Sequence, residues 1–171
     1  MEHISRKTDD TSELKSLGSG SGVYKKYDNP SVDMLEAFPN RFDTDAPYMV
    51  EIVFPEFTSL CPKTGQPDFA KVHIRYIPQE KCVESKSLKE YFMAYRNEAS
   101  FMETLTNNIN NDLAQLLDPQ WLEVYIEFAP RGATALNVSA YTNNIEEIDD
   151  CCVQLKVIEL LKMKGYNVSL P

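Results

Sequence analysis

Apolar residues recur at every second position in two early stretches. Tyr48, Val50, Ile52 and Phe54 alternate with Met49, Glu51 and Val53, and Ala70, Val72, Ile74 and Tyr76 alternate with Lys71, His73 and Arg75. A period of two is that of a strand burying one face. From Ser87 the period lengthens: Leu88, Tyr91, Phe92 and Tyr95 lie at i, i+3, i+4 and i+7, and Met102, Leu105, Ile109, Leu113 and Leu116 repeat the pattern. Two amphipathic helices are predicted, each opened by an S-x-x-E capping box, Ser87 with Glu90 and Ser100 with Glu103. The second stops at Asp118-Pro119. Alternation returns in Leu122, Val124, Ile126 and Phe128, and a fourth strand carries Leu136, Val138 and Ala140 after the turn Pro130-Arg131-Gly132.

The order strand, strand, helix, helix, strand, strand predicts an α+β fold, a four-stranded antiparallel sheet with two helices on one face and the other face uncovered. Open edge strands predict an oligomer. Residues 1–30, with Leu17-Gly18-Ser19-Gly20-Ser21-Gly22, read as a flexible head, since such a stretch cannot offset its ordering entropy by burial. Residues 31–171 read as a single domain, with a short helical turn ending before Pro39 and a last helix over 149–164 that stops at Gly165.

Composition narrows the function. Of 171 residues, 43% are hydrophobic and 25% charged, values of a folded globular chain. No apolar run approaches the roughly 20 residues of a membrane helix, and the first residues lack the core of a signal peptide, so a cytoplasmic address is expected. The four cysteines form no disulfide framework and no CxxC knuckle, and no metal site is expected. A formal charge of −9 argues against nucleic acid as a partner and favours a small molecule.

Two segments carry candidate chemistry. Cys61 lies between the first two strands, flanked by Pro62 and followed by Thr64-Gly65-Gln66-Pro67, a turn that could present the thiol to a cleft. On residues alone a lone free cysteine is more often a small buried hydrophobe, and Asp68 could be a turn cap. Lys86 and Lys89 stand three apart at a helix start, where free N–H groups and the dipole favour phosphate, though a solvated first turn accounts for them equally. Glu103 and Arg131 have plain readings as a capping residue and a turn residue, and His73 receives no role.

Together these segments resemble one family, the NADPH-dependent nitrile reductases of queuosine biosynthesis, the QueF family, in its single-module form. The resemblance spans 34–143 and rests on Pro55-Glu56-Phe57-Thr58-Ser59-Leu60-Cys61-Pro62-Lys63-Thr64-Gly65-Gln66-Pro67-Asp68-Phe69-Ala70 and Glu84-Ser85-Lys86-Ser87-Leu88-Lys89-Glu90-Tyr91-Phe92. Tyr95-Arg96-Asn97, Asp118-Pro119, Pro130-Arg131-Gly132 and Tyr141-Thr142-Asn143 extend it in the same order.

The resemblance implies the tunnelling fold, whose subunits close into a barrel with active sites between neighbours, here a decamer of two pentamers. It implies reduction of 7-cyano-7-deazaguanine to the 7-aminomethyl compound with two NADPH, a step towards a modified tRNA base. Cys61 would be the nucleophile of a covalent thioimide and Asp68 the proton donor, with burial favouring its protonated form. Val83, Glu84, Ser85, Met102 and Glu103 would border the base, with Glu103 accepting hydrogen bonds from its guanine-like edge. Lys86, Lys89 and Arg131 would hold cofactor phosphates, in a cleft of another kind than a Rossmann loop. One departure stands out: the family's Phe-His-Glu reads Phe101-Met102-Glu103 here. Two other readings remain open, a thioimide-forming amidinotransferase relative and a deazapurine-binding protein without turnover.

Overall fold

The computed structural model describes residues 27–42 and 47–168; most of the head expected over 1–30 lies outside the described residues. Strands β1 (Ala37–Pro39), β2 (Val50–Leu60), β3 (Pro67–Ile77) and β4 (Lys81–Val83) precede helices α1 (Ser85–Ala94) and α2 (Met102–Leu117). Strands β5 (Trp121–Phe128) and β6 (Asn137–Asn143) and helix α3 (Cys151–Met163) follow. The main sheet has the order β2-β3-β5-β6, antiparallel throughout, as the alternation predicts. β1 and β4 form a separate antiparallel ribbon that periodicity did not announce, each strand being only three residues long. The helical turn expected before Pro39 is confined to Val32–Met34, and the chain is already extended at Leu35.

The sheet and the α1–α2 layer share one core. Val72, Ile74 and Tyr76 of β3 and Leu122, Val124 and Ile126 of β5 point into it, opposite Leu105, Ile109, Leu113 and Leu117, one stripe at helical spacing on α2. A buried polar clasp fixes α2 over β6: Asn110 donates to the Ala140 carbonyl at 3.1 Å and accepts from Thr142 Oγ1 at 2.8 Å. Satisfied on both sides, that amide specifies the helix register without an unpaired group.

β2 reverses its parity midway. Val50, Ile52 and Phe54 face the core, but so do Phe57 and Ser59, an odd step later. The register explains it: from Phe54 opposite Val72 to Phe57 opposite Ala70, β2 advances three residues and β3 two. The extra residue is a β-bulge at exposed Pro55 and Glu56, where proline lacks the N–H that a ladder would need. Phe57 thereby enters an aromatic cluster with Phe92 and Tyr95 at centroid distances of 5.8 and 5.5 Å.

Three expectations are corrected. α1 begins two residues before the expected box, because Glu84, not Ser87, caps it: the Glu84 carboxylate accepts from the N–H groups of Lys86 at 2.8 Å and Ser87 at 2.7 Å. Ser87 lies inside the helix, where its hydroxyl accepts from Glu36 N–H and donates to the Glu84 carbonyl. α2 begins at Met102 with Phe101 as N-cap and no side-chain capping bond, so the box from Ser100 to Glu103 does not form. Nor is the second sheet face wholly open. α3 packs on one end of it, where Ile77 and Trp121 meet Val153, Val157, Ile158 and Leu161. The helix ends as expected: Gly165 takes φ +91°, and Tyr166 N–H reaches back to the Leu161 carbonyl. Tyr166 then donates to Glu123 at 2.6 Å beside Arg75, which is paired with Glu51 and Glu123. No helix of the described residues is long and apolar enough to cross a membrane.

The bulge yields a prediction. Exchanging the two residues, Glu56→Phe with Phe57→Glu, puts the aromatic ring on the exposed bulge and a carboxylate on the core face, at a cost of about 3 kcal/mol or more in urea unfolding. Glu56→Ala, which keeps the extra residue, stays within about 0.5 kcal/mol of the parent. Equal stability of the two variants would contradict this account of the register.

Candidate active site

The β2–β3 connection is a closed turn. Cys61 N–H donates to the Gln66 carbonyl at 2.8 Å, and Gly65 N–H donates to the Cys61 carbonyl at 2.9 Å. Gly65 holds φ +67°, a conformation open to glycine at no steric cost. With both its backbone groups engaged, Cys61 is fixed in place while its side chain stays partly exposed. The thiol is lowered to about 7, chiefly by a hydrogen bond from the Thr64 side chain, then by backbone N–H groups of Lys63 and Thr64, with a smaller part from Arg131. Partial burial opposes these effects and loses. A free thiol of this kind is an activated nucleophile rather than an inert hydrophobe.

Asp68 continues the inward set of β3 one step beyond Ala70, so the apolar stripe ends in a carboxylate, 3% exposed and directly across from buried Ser59. The Arg131 guanidinium lies 2.7 Å from Asp68 Oδ1. That contact is an ion pair by distance without hydrogen-bond alignment, for Oδ1 has no directed hydrogen bond among the described residues. Arg131 reaches this place from the β5–β6 turn, 63 positions along the chain from Asp68.

The start of α2 is drawn to the same place. Glu98 and Ser100 bracket Leu60 as a short parallel bridge, Leu60 N–H to Glu98 carbonyl at 2.9 Å and Ser100 N–H to Leu60 carbonyl at 3.1 Å. Phe101, Met102 and Glu103 therefore follow on alongside Cys61. Phe101 and Glu103 are exposed, while Met102 packs its thioether against the main core. A groove of ≈ 880 Å³ is lined by Thr58, Phe69 and Phe128, and Cys61 is not part of its lining.

The other expected residues lie elsewhere. Val83 is buried in the β1–β4 ribbon, and Glu84, Ser85, Lys86 and Lys89 stand at the first turns of α1. The helix then runs its 10 residues, about 15 Å, before the chain reaches Leu60 and Cys61. One chain thus joins Cys61, Asp68 and Arg131, with Met102 and Glu103 adjoining, and leaves the lysine segment apart. The expectation of free N–H groups beside the lysines fails, since Glu84 takes those of Lys86 and Ser87 and is itself pushed below the usual carboxylate range by them. Thr64, the strongest influence on the thiol, was missed from the sequence. Its position three residues after Cys61 inside a turn was the available signal. Among the described residues Asp150, Cys151 and Cys152 bring three donor atoms within 4.8 Å of one another, but all three are exposed at the start of α3, with Asp150 already serving as its N-cap.

Comparisons with known proteins identify relatives of the chain. A family model described as QueF-like protein matches residues 67–147. The chain is 54% identical over 135 residues to the NADPH-dependent 7-cyano-7-deazaguanine reductase of Nitratidesulfovibrio vulgaris (strain DP4), covering 79% of this chain and 80% of that one. The chain belongs to the family of NADPH-dependent 7-cyano-7-deazaguanine reductases. The enzyme of that name from Bacillus subtilis (strain 168) is 53% identical over 111 residues, 65% of this chain and 66% of its own. One from Neisseria meningitidis serogroup C is 48% identical over 134 residues, 78% and 83% of the two chains. Among solved structures, the archaeosine synthase QueF-Like in its apo form aligns with a TM-score of 0.50 at 17% identity, over 58% of this chain and 94% of that one, a likeness of fold.

The thiol environment gives a direct test. Alkylation of Cys61 by iodoacetamide, followed by peptide mass mapping, is half-maximal near pH 7, because reactivity follows the thiolate, which grows as pH rises through the lowered value. Thr64→Val removes the principal hydrogen bond and moves the midpoint upward. An unchanged midpoint would contradict the assignment to Thr64.

Proposed function

We propose that this chain reduces the nitrile of 7-cyano-7-deazaguanine to the 7-aminomethyl compound with NADPH, a step in making queuosine for tRNA, through a thioimide on Cys61. The observation that carries the covalent step is the thiol: fixed in a closed turn, partly open and lowered to about 7, beside a buried carboxylate. Thiolate attack forms the S–C bond and moves one C–N electron pair onto nitrogen, turning a weak electrophile into a reducible thioimide. That nitrogen needs a proton, and Asp68 delivers it. Glu103, exposed at the start of α2, accepts hydrogen bonds from the base's guanine-like edge. Met102 brings no proton, so Asp68 and solvent supply those of the later steps.

NADPH, when bound, supplies a hydride for each of the two reductions. The exposed ammonium groups of Lys86 and Lys89, three apart on α1, fit its phosphates, as does Arg131 with its 42% exposed side chain. With Glu84 occupying the helix N–H groups, the lysine charges and not the helix terminus hold those phosphates. Val83, Glu84 and Ser85 border the base. This half of the site meets Cys61 across subunits. The separation within one chain and the edge positions of β2 and β6 in the main sheet support a tunnelling-fold barrel with sites between neighbours, a decamer of two pentamers. Four free cysteines among the described residues suit a reducing cytoplasm.

The test mixes purified protein with 7-cyano-7-deazaguanine and NADPH and follows NADPH absorbance and intact mass together. Both an adduct and NADPH loss are expected; an adduct without NADPH oxidation would reduce the chain to a binding protein. Cys61→Ala abolishes the adduct, whereas Lys86→Ala weakens NADPH use and keeps the adduct. Equal loss of both in the two variants would contradict this division of labour.

A further inference from the structure

The lysine segment is held by contacts that its own helix does not supply. Val83 N–H, at the end of β4, donates to the Tyr76 hydroxyl of β3 at 3.2 Å. Within the first turn of α1, Ser87 is only 7% exposed, between exposed Lys86 and buried Leu88. Its hydroxyl accepts from Glu36 N–H at 2.9 Å, 51 positions away, and donates to the Glu84 carbonyl at 2.9 Å. Glu84 N–H donates to the Glu36 carbonyl at 2.8 Å, so three residues close a ring. A serine inside a helix commonly donates to the carbonyl of the preceding turn, but accepting from a distant segment is no part of helix chemistry. The hydroxyl has one proton, which Glu84 receives, and its oxygen is left to take the Glu36 N–H. Leu35, next to Glu36, is buried in the main core with Val83 and Leu88, so the ring is anchored on both sides.

We infer that Ser87 is a positioning residue for the cofactor: turned inward, it meets no phosphate itself, and it acts through Glu36 to fix where Lys86 and Lys89 project. This deepens the reading of those lysines as phosphate ligands and rests on it. A lysine carries its charge on a flexible stem, so the charge is placed only as well as the backbone beneath it. The Glu84 carboxylate ties the first turn of α1 to itself, through the N–H groups of Lys86 and Ser87. The bonds to Glu36 tie that turn to β1, and hence to the rest of the molecule. Removing the Ser87 hydroxyl leaves a partly buried N–H without its acceptor and loosens the turn from β1. Cys61 lies beyond the far end of α1, so the covalent step is untouched.

Full-length parent, Ser87→Ala, Ser87→Thr, Glu36→Pro and Lys86→Ala are compared for KM and kcat with NADPH, and for adduct formation with 7-cyano-7-deazaguanine alone. Ser87→Ala is expected to raise KM for NADPH about fivefold, the equivalent of one hydrogen bond, at near-parental kcat and adduct rate. Ser87→Thr, which keeps the hydroxyl, recovers most of the loss. Glu36→Pro removes the donor from the other side, after a Leu35 already extended at ψ 139°, and gives the same rise without altering α1. Combining Glu36→Pro with Ser87→Ala adds nothing further, because both break one bond. A KM raised by Lys86→Ala but by neither Ser87→Ala nor Glu36→Pro would overturn the inference and leave the lysine reading standing. A matching fall in adduct rate would overturn it as well, making Ser87 a residue of general stability. A KM unmoved in Lys86→Ala would overturn the lysine reading, and the inference with it.

Discussion

The parity of β2 is the constraint from which the site follows. Residues on a strand alternate faces, and β2 must send Ile52 and Phe54 into the core and then Phe57 and Ser59 as well, which only an inserted residue permits. The bulge at Pro55 and Glu56 supplies it. Phe57 then locks against Phe92 and Tyr95, Ser59 comes to lie across from Asp68, and Leu60 is bracketed by Glu98 and Ser100. Cys61 is the next residue. Its place beside the start of α2 and at the mouth of the turn that carries Arg131 follows from that one insertion.

The parts of the fold legible in the sequence are those in which one period runs long enough to be seen. The strands around Ile52, Ile74 and Val124, both helices and α3 repeat their spacing over several residues, and tertiary packing agrees with it. The bulge was not legible, because alternation simply lapses at Pro55. The β1–β4 ribbon was not, because three residues carry no period and its strands are separated by most of the sheet. The caps failed differently. Ser87 to Glu90 and Ser100 to Glu103 both have capping-box spacing, but Glu84 reaches the N–H groups of Lys86 and Ser87 first, and the chain before α2 is held by Leu60 instead.

The site was legible in residue type and not in arrangement. Asp68 shares the parity of Ala70 and Val72, so its burial could be read along β3. The contact between Arg131 and Asp68 could not, since it joins distant segments through a turn whose geometry depends on Gly132 and Ala133. Nor does any local pattern tell that α1 separates Lys86 from Cys61. Electrostatics sharpen that separation: in an acidic chain, one cation serves the thiol and carboxylate at one end of α1, while two lysines gather at the other with their helix terminus already capped. In the proposed function either half alone would form a bond or hold a phosphate, and reduction would require both.

Under the proposed function, the nucleophile of one subunit works with the lysine segment of another. The direct measurement is complementation: Cys61→Ala and Lys86→Ala chains, each impaired alone, are co-expressed with different tags, co-purified as mixed oligomers and assayed for NADPH oxidation with 7-cyano-7-deazaguanine. Shared sites predict recovery of activity to roughly a quarter of the parent, the fraction of interfaces that pair an intact Cys61 with an intact Lys86 in a random assembly. Mixed oligomers no more active than the better of the two variants would contradict it, and would require the lysines of each chain to reach its own Cys61.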